Sequence, residues 1–271
     1  MMRDVLCRIE GFETWPCDEI NYIWRHGNMR YPSDVFPPEL ATPQIKKFIR
    51  NEFKKISQKC IATHIVEKTC ANSLRVDFLD RILPEAKYIF IIRDGIDVVA
   101  SAMKRWQATL DIPYMIRKVR YVPLIDLPYY AMRYLGNRFH LLFSSEKRLA
   151  FWGPVLDNMD FILAKHSLEE ICAIQWKQCV DFATESFERI AEEKVYNIRY
   201  ENFVKNPKDQ MEKICQFLNI EIPVNLEMTI LKDISDKSVG KGYEELNKKG
   251  MTEKITPIIQ ETLLKHGYLF K

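Results

Sequence analysis

Apolar positions change period repeatedly along the chain, and the changes mark out a string of elements. Residues 1–10 put Met2, Val5, Leu6 and Ile9 on one helical face, with Gly11 as the stop. "ETWPC" reads as a short extended segment, weakened by Pro16. "DEINYIWRHG" reads as a helix, and residues 43–57, "PQIKKFIRNEFKKIS", as a second amphipathic one. "CIATHIVEKT" (60–69) predicts a strand, and "SLRVDFLDRILP" a helix that ends before Pro84. The clearest strand is "KYIFIIR", an unbroken apolar run of the kind covered on both faces. "DVVASAMKRW" is the helix after it. Residues 107 to about 165 read as irregular, rich in Pro and aromatics. The long helix "SLEEICAIQWKQCVDFATESFERIAE" follows, then the strand "KVYNIRYENF" and the helices "PKDQMEKICQFLNI" and "TEKITPIIQETLLKHGY". This alternation predicts an α/β fold with a parallel sheet covered on both faces. Ligands of such sheets sit at the carboxyl ends of the strands.

Composition narrows the picture modestly. The 271 residues suit one large α/β domain or two small ones. A net charge of +3 without a basic tract argues against nucleic acid as a partner. The longest apolar runs are too short for a membrane span, and Arg3, Asp4 and Arg8 interrupt any signal-peptide core. The seven cysteines form no CxxC pair, which fits reduced thiols in a cytoplasmic protein and gives no zinc spacing. His26, His140, His166 and His266 show no ligand spacing, and His64 reads as a packed strand residue, so no metal is expected.

The chemistry concentrates in "KYIFIIRDGIDVVASAMKRW", residues 87–106. Arg93 falls where the strand ends, Asp97 is a candidate cap of the next helix, and Ser101 follows one turn later. Ser101 lies on the side away from Val98, Val99, Ala102 and Trp106. An arginine fork and a hydroxyl near a helix N-terminus can converge on a phosphate. The plainer alternative is an ion pair of Arg93 with Asp97 or Asp94, beside a solvated serine.

This segment resembles the 3'-phosphate-binding segment of the sulfotransferase family, enzymes that move a sulfuryl group from 3'-phosphoadenylyl sulfate (PAPS) to an acceptor. Three further stretches are similar to the family, in its bacterial and carbohydrate-type form. "VEKTCANSLRVDFLDRILPEAKYIFIIRD" resembles its Glu-Lys-Thr-Pro or Glu-Lys-Ser-Pro motif and the helix beyond, with Cys70 in place of the proline. "YNIRYENFVKNPKDQMEKICQFLNI" looks like its Arg-Tyr-Glu-Asp segment, with Asn202 for Asp. "SVGKGYEELNKKGMTEKITPIIQETLLKHGY" resembles its C-terminal loop and helix. The four occur in the family's order and cover most of residues 1–106 and 190–271.

The resemblance implies a P-loop-type three-layer αβα fold with a central parallel sheet. It makes PAPS the donor and adenosine 3',5'-bisphosphate (PAP) the product. By it, Arg93 and Ser101 hold the 3'-phosphate, Tyr200 lies near the adenine, and Lys241 and Gly242 close over the phosphates. Glu19 takes the family position of the carboxylate base that deprotonates the acceptor, with Asp18 as an open alternative. Lys68 becomes the cation facing the transferred group. Bland roles stay open for both: Glu19 as a first-turn carboxylate favoured by the helix dipole, Lys68 as a partner of Glu67 or of water.

One family motif has no counterpart: the first strand and its Gly-x-x-Arg-Ser-Gly-Thr loop, whose amides cradle the 5'-phosphosulfate. "MMRDVLCRIEGF" looks like the helix after that loop. The expectation is therefore a sequence that starts after the motif, with the central strand missing between the "HIVEK" and "YIFII" strands. Those strands must then move together or be bridged by another segment, and a chain complete as written is expected to show little or no transfer. The resemblance gives one sulfotransferase-like domain over 1–271, with 107–190 as an acceptor-side insertion. Its aromatics serve equally as core residues or as a face for a glycan, the first expectation, or for a small metabolite or lipid hydroxyl, with a hydroxyl or amine accepting the group. Two other classes remain: a non-catalytic PAP-binding relic and a P-loop nucleotide kinase, the latter without its Gly-Lys-Ser/Thr loop.

Overall fold

A computed structural model describes residues 1–107, 119–132, 135–136 and 152–268. The expected alternation is present, with the strands shorter than the sequence predicts. Helix α1 spans Met2–Leu6 and strand β1 Phe12–Glu13. Helix α2 (Asn21–Trp24) and the long α3 (Pro43–Cys60) precede β2, His64–Ile65. The Thr42 hydroxyl accepts from the Ile45 amide and Pro43 opens the first turn of α3, so both start signals are local. The helix expected over 73–84 divides into a 3-10 turn, Cys70–Leu74, and α4, Val76–Ile82. Then come β3 (Tyr88–Ile92), α5 (Gly95–Trp106), α6 (Met159–Lys165) and the central α7 (Leu168–Phe187). Strand β4 (Val195–Arg199), α8 (Tyr200–Lys205), α9 (Pro207–Leu218), α10 (Lys241–Lys248) and α11 (Thr252–Lys265) follow.

The parallel pairing is confirmed in two separate pieces. β1 runs parallel to β2, Phe12 opposite His64, and β3 runs parallel to β4 from Tyr88–Val195 to Ile92–Arg199. β2 and β3 do not pair, and among the described residues no strand lies between them. The apolar run of β3 is half-buried, with only Ile92 fully inside, and β4 pairs with it along one edge. Val66 of the β2 side and Ile89 and Ile91 of β3 pack on one cluster with Val5 and Leu6 of α1.

Three apolar clusters support this frame. The largest surrounds α7: Ile171, Cys172, Ala173, Trp176 and Val180 meet Ile96, Val99 and Ala100 of α5, Leu246 of α10 and Ile255, Ile259 and Leu263 of α11. A second joins Trp15, Ile20, Ile23 and Trp24 to Ile45 and Ile49 of α3 and Phe78 and Ile82 of α4. The third places α1 against Ile198, Phe203, Met211 and Ile214. Within the stretch read as irregular, α6 forms with Met159 and Ile162 buried. Half of the aromatic-rich stretch 121–154 lies outside the described residues. No helix among the described residues is long and apolar enough to cross a membrane.

Candidate functional site

The β3–α5 turn is held from several sides. The indole N–H of Trp176 donates to the Arg93 carbonyl at 3.2 Å. The Asp94 amide donates to Glu201 Oε1 at 3.0 Å, and the Tyr268 hydroxyl lies 3.0 Å from the Ile92 carbonyl and 2.7 Å from Glu201 Oε2. A side chain at Gly95 would meet the Trp176 ring at 2.9 Å, so glycine lets α7 press on the turn. Glu201 and Tyr268 fall inside the two C-terminal stretches that resemble the family, without a role read for either, and Trp176 lies outside every such stretch; the fold brings the three to the turn.

The helix cap is a correction. Asp94, not Asp97, caps α5: its Oδ1 accepts from the Ile96 amide at 2.8 Å and the Asp97 amide at 3.4 Å. Asp97 lies inside the first turn, and its carboxylate faces the C-terminal part of the chain. There it accepts from the amides of Gly240 at 2.9 Å and Gly242 at 2.8 Å. Asp94 is raised above the usual carboxylate range chiefly by burial, against the pull of its two amide bonds.

Arg93 stands at the strand's carboxyl end, as expected. One terminal nitrogen donates to Asp97 Oδ2 at 3.2 Å and to the Ser238 carbonyl at 3.0 Å. The guanidinium carbon lies 4.6 Å from the centre of the Tyr200 ring, and Nε is buried without a hydrogen-bond partner. Tyr200 opens α8 and its hydroxyl is 2.9 Å from Ser238 Oγ. Ser101 is exposed and lies one turn beyond Asp97, hence on the same face of α5. The Arg93–Asp97 pair and the exposed serine are what the plainer reading anticipated. Lys241, exposed, opens α10 beside the buried Gly242.

The second cluster lies at the carboxyl end of β2. Lys68 Nζ donates to Glu19 Oε1 at 3.0 Å, and the Cys70 amide donates to the same oxygen at 3.2 Å. Lys68 therefore pairs with Glu19, and not with Glu67. The Glu67 carboxylate accepts from Thr69 Oγ1 at 2.5 Å and from Asn72 at 2.6 Å, and burial raises it. Asp18 turns to Arg3, whose NH2 lies 3.3 Å from Asp18 Oδ1. Partial burial would lower the Lys68 ammonium, but the neighbouring Cys70 sulfur and Glu19 carboxylate outweigh it and hold the group above the ordinary lysine range. Enclosure by its neighbours pushes the Cys70 thiol up to about 12. His64 stacks on Phe12 with ring centres 4.4 Å apart, which makes it a packing residue.

Helix α7 joins the clusters. Trp176 touches the Arg93 turn, and Cys179, one turn on, is raised by burial and by the fields of Cys70, Asp34 and Glu19. Residues three apart share a helix face, so one wall serves both groups. Among the described residues no cluster of His, Cys, Asp and Glu could hold a metal ion.

The arrangement offers a carboxylate–ammonium pair, a stacked guanidinium and a helix N-terminus beside it. The profile of the sulfotransferase family matches residues 30–141 and 142–224, most of the chain. The chain belongs to the sulfotransferase family. Among solved structures, the sulfotransferase domain from the curacin biosynthetic pathway is 12% identical, with a TM-score of 0.53, over 99% of this chain and 93% of that one. At that identity the likeness shows a shared sulfotransferase fold and no more. The sulfotransferase STF9 from Mycobacterium avium is 14% identical with a TM-score of 0.49, over 88% of this chain and 52% of its own, so this chain spans about half the length of that protein. No curated protein matches the chain.

Proposed function

We propose that this sulfotransferase-family chain binds PAPS and transfers its sulfuryl group to a hydroxyl or amine of a glycan or small metabolite. The observation that carries the reading is the Arg93 guanidinium at the end of β3: stacked on Tyr200, near α10, with a buried donor, Nε, left unused. A buried orphan donor is costly unless a ligand or water completes it. An anionic ester fits it, with Arg93 and Ser101 on the 3'-phosphate, Tyr200 toward the adenine, Lys241 at the phosphates, and Gly242, whose amide is held by Asp97, seating the start of α10 beside them.

The donor, when bound, supplies the sulfuryl group: its bond to the phosphate oxygen breaks as the acceptor oxygen or nitrogen bonds to sulfur, and PAP is the product. Glu19 takes the acceptor proton. Lys68, held protonated, faces the oxygen on which negative charge grows. Their 3.0 Å pair must open for both roles, and both side chains reach solvent, so opening leaves no uncompensated buried charge.

A second reading, a non-catalytic PAP binder, is favoured by the Lys68–Glu19 ion pair, in which each group is already taken up by the other.

Calorimetric titration with PAP and with ATP tests the donor assignment, and a transfer assay separates the two readings. PAP is expected to bind strongly over ATP, and Arg93→Ala to weaken PAP roughly ten- to hundredfold, the loss of one charge-assisted contact. Equal affinity for both nucleotides would remove the assignment. PAP binding without turnover on any glycan or small acceptor would leave the binder.

A further inference from the structure

The C-terminal segment is fastened to the β3–α5 turn through one carboxylate. Asp97 is 3% exposed. Its Oδ1 accepts from the amides of Gly242 at 2.8 Å and Tyr243 at 3.4 Å, and its Oδ2 from the Gly240 amide at 2.9 Å and Arg93 NH2 at 3.2 Å. Because α10 begins at Lys241, those three amides belong to its N-cap and first turn, which have no partners inside the helix. A carboxylate there also meets the positive end of the helix dipole.

The steric evidence is independent. A Cβ at Gly242 would come 2.5 Å from Asp97 Cα and 3.0 Å from Ala100 Cβ. The α10 backbone therefore lies flush on α5, and only glycine fits. Leu246, one turn on, is buried among residues that include Ile96 and Val99 of α5. The segment just before α10 returns to the guanidinium: the Ser238 carbonyl accepts from Arg93 and its hydroxyl meets Tyr200.

We infer that Asp97 is a positioning residue, a clasp that fixes residues 238–243 against Arg93 and so pre-forms the anion subsite. The consequence for a ligand rests on the donor reading above. Arginine loses much rotamer freedom when a ligand orders it; here Asp97, Ser238 and Tyr200 order it beforehand. The opposite effect, repulsion between Asp97 and a bound phosphate, is small, because four donors already compensate the carboxylate. The two effects have opposite signs, so one measurement decides between them.

The experiment compares the wild type with Asp97→Asn and Gly242→Ala. Gly242→Ala keeps the carboxylate and lifts α10, and it serves where Asp97→Asn does not fold. Hydrogen exchange of residues 238–246 in the free protein reads the clasp directly; titration with PAP and with AMP, which lacks the 3'-phosphate, reads its effect on the ligand. Both variants are expected to exchange about tenfold faster there and to bind PAP about tenfold more weakly, with AMP changed less than about twofold. Unchanged exchange overturns the clasp. Faster exchange with PAP affinity kept or improved overturns the positioning role. A wild type that binds PAP and AMP alike removes the donor reading instead, and the exchange data then judge the clasp alone.

Discussion

The Asp34 carboxylate is completely buried and faces two guanidinium groups, Arg25 at 2.8 Å and Arg75 at 3.3 Å, while its second oxygen accepts from the Val155 amide at 2.9 Å. Burial would raise it, but the two arginines win and hold it below the ordinary carboxylate range. Burial in turn lowers Arg75. Removing one member of a buried ion group leaves the others uncompensated. Asp34→Ala is therefore expected to cost about 3–5 kcal/mol in urea unfolding; a loss under about 1 kcal/mol would mean that water replaces the carboxylate. No role for Asp34, Arg25 and Arg75 follows from the sequence, because Arg25 is near Asp34 in the chain but Arg75 and the Val155 amide reach it from 41 and 121 residues away. Arg93 was legible at this scale, since its place at the end of an apolar strand is a local fact. Asp97 is not the cap that the sequence suggests: Asp94 and Asp97 are chemically equal candidates, and the bonds from Trp176 and Glu201 that pin the turn come from far along the chain.

At the scale of elements, helices were more legible than strands. α3, α7, α9 and α11 carry their periodicity and start signals within their own residues. β2 shrinks from the expected span of 60–69 to His64–Ile65, because a strand exists only where a partner ladder does, and β1 offers two residues. α4 begins later than expected because a 3-10 turn over Cys70–Leu74 comes first, in the stretch where Glu67 draws in Thr69 and Asn72. The α5 start tests how local an element can be. Asp94→Ala removes two capping bonds and is expected to cost about 1 kcal/mol, read by thermal unfolding. A loss well beyond about 2 kcal/mol would show that Asp94 supports the whole turn and not the cap alone.

For the molecule as a whole, the raised groups set the pH range of stability. Burial pushes the Cys7 thiol up to about 11 and raises the Cys179 thiol and the Tyr88 and Tyr268 hydroxyls. Each holds its proton more tightly folded than unfolded. The stability they contribute is complete below the unfolded values and falls as pH rises past them, from about pH 9 upward. The lowered Asp34 acts in the opposite direction: its contribution is present above the unfolded carboxylate value and is lost as pH falls through the acid range. Thermal unfolding is expected to show a plateau near neutrality, a decline above about pH 9 and another below about pH 4. A melting temperature that rises between about pH 9 and pH 11 would contradict the assignment of these groups.

The sequence by itself determined the helices, the parallel character of the strands, the place of Arg93 and the family likeness, because each rests on side-chain period or on residues close in the chain. Tertiary structure alone decided that the strands form two separate pairs, that Lys68 takes Glu19 as its partner, and that Asp97 leaves its own helix to hold another. These depend on which edges and charges meet across long stretches of chain, and no local pattern encodes such meetings.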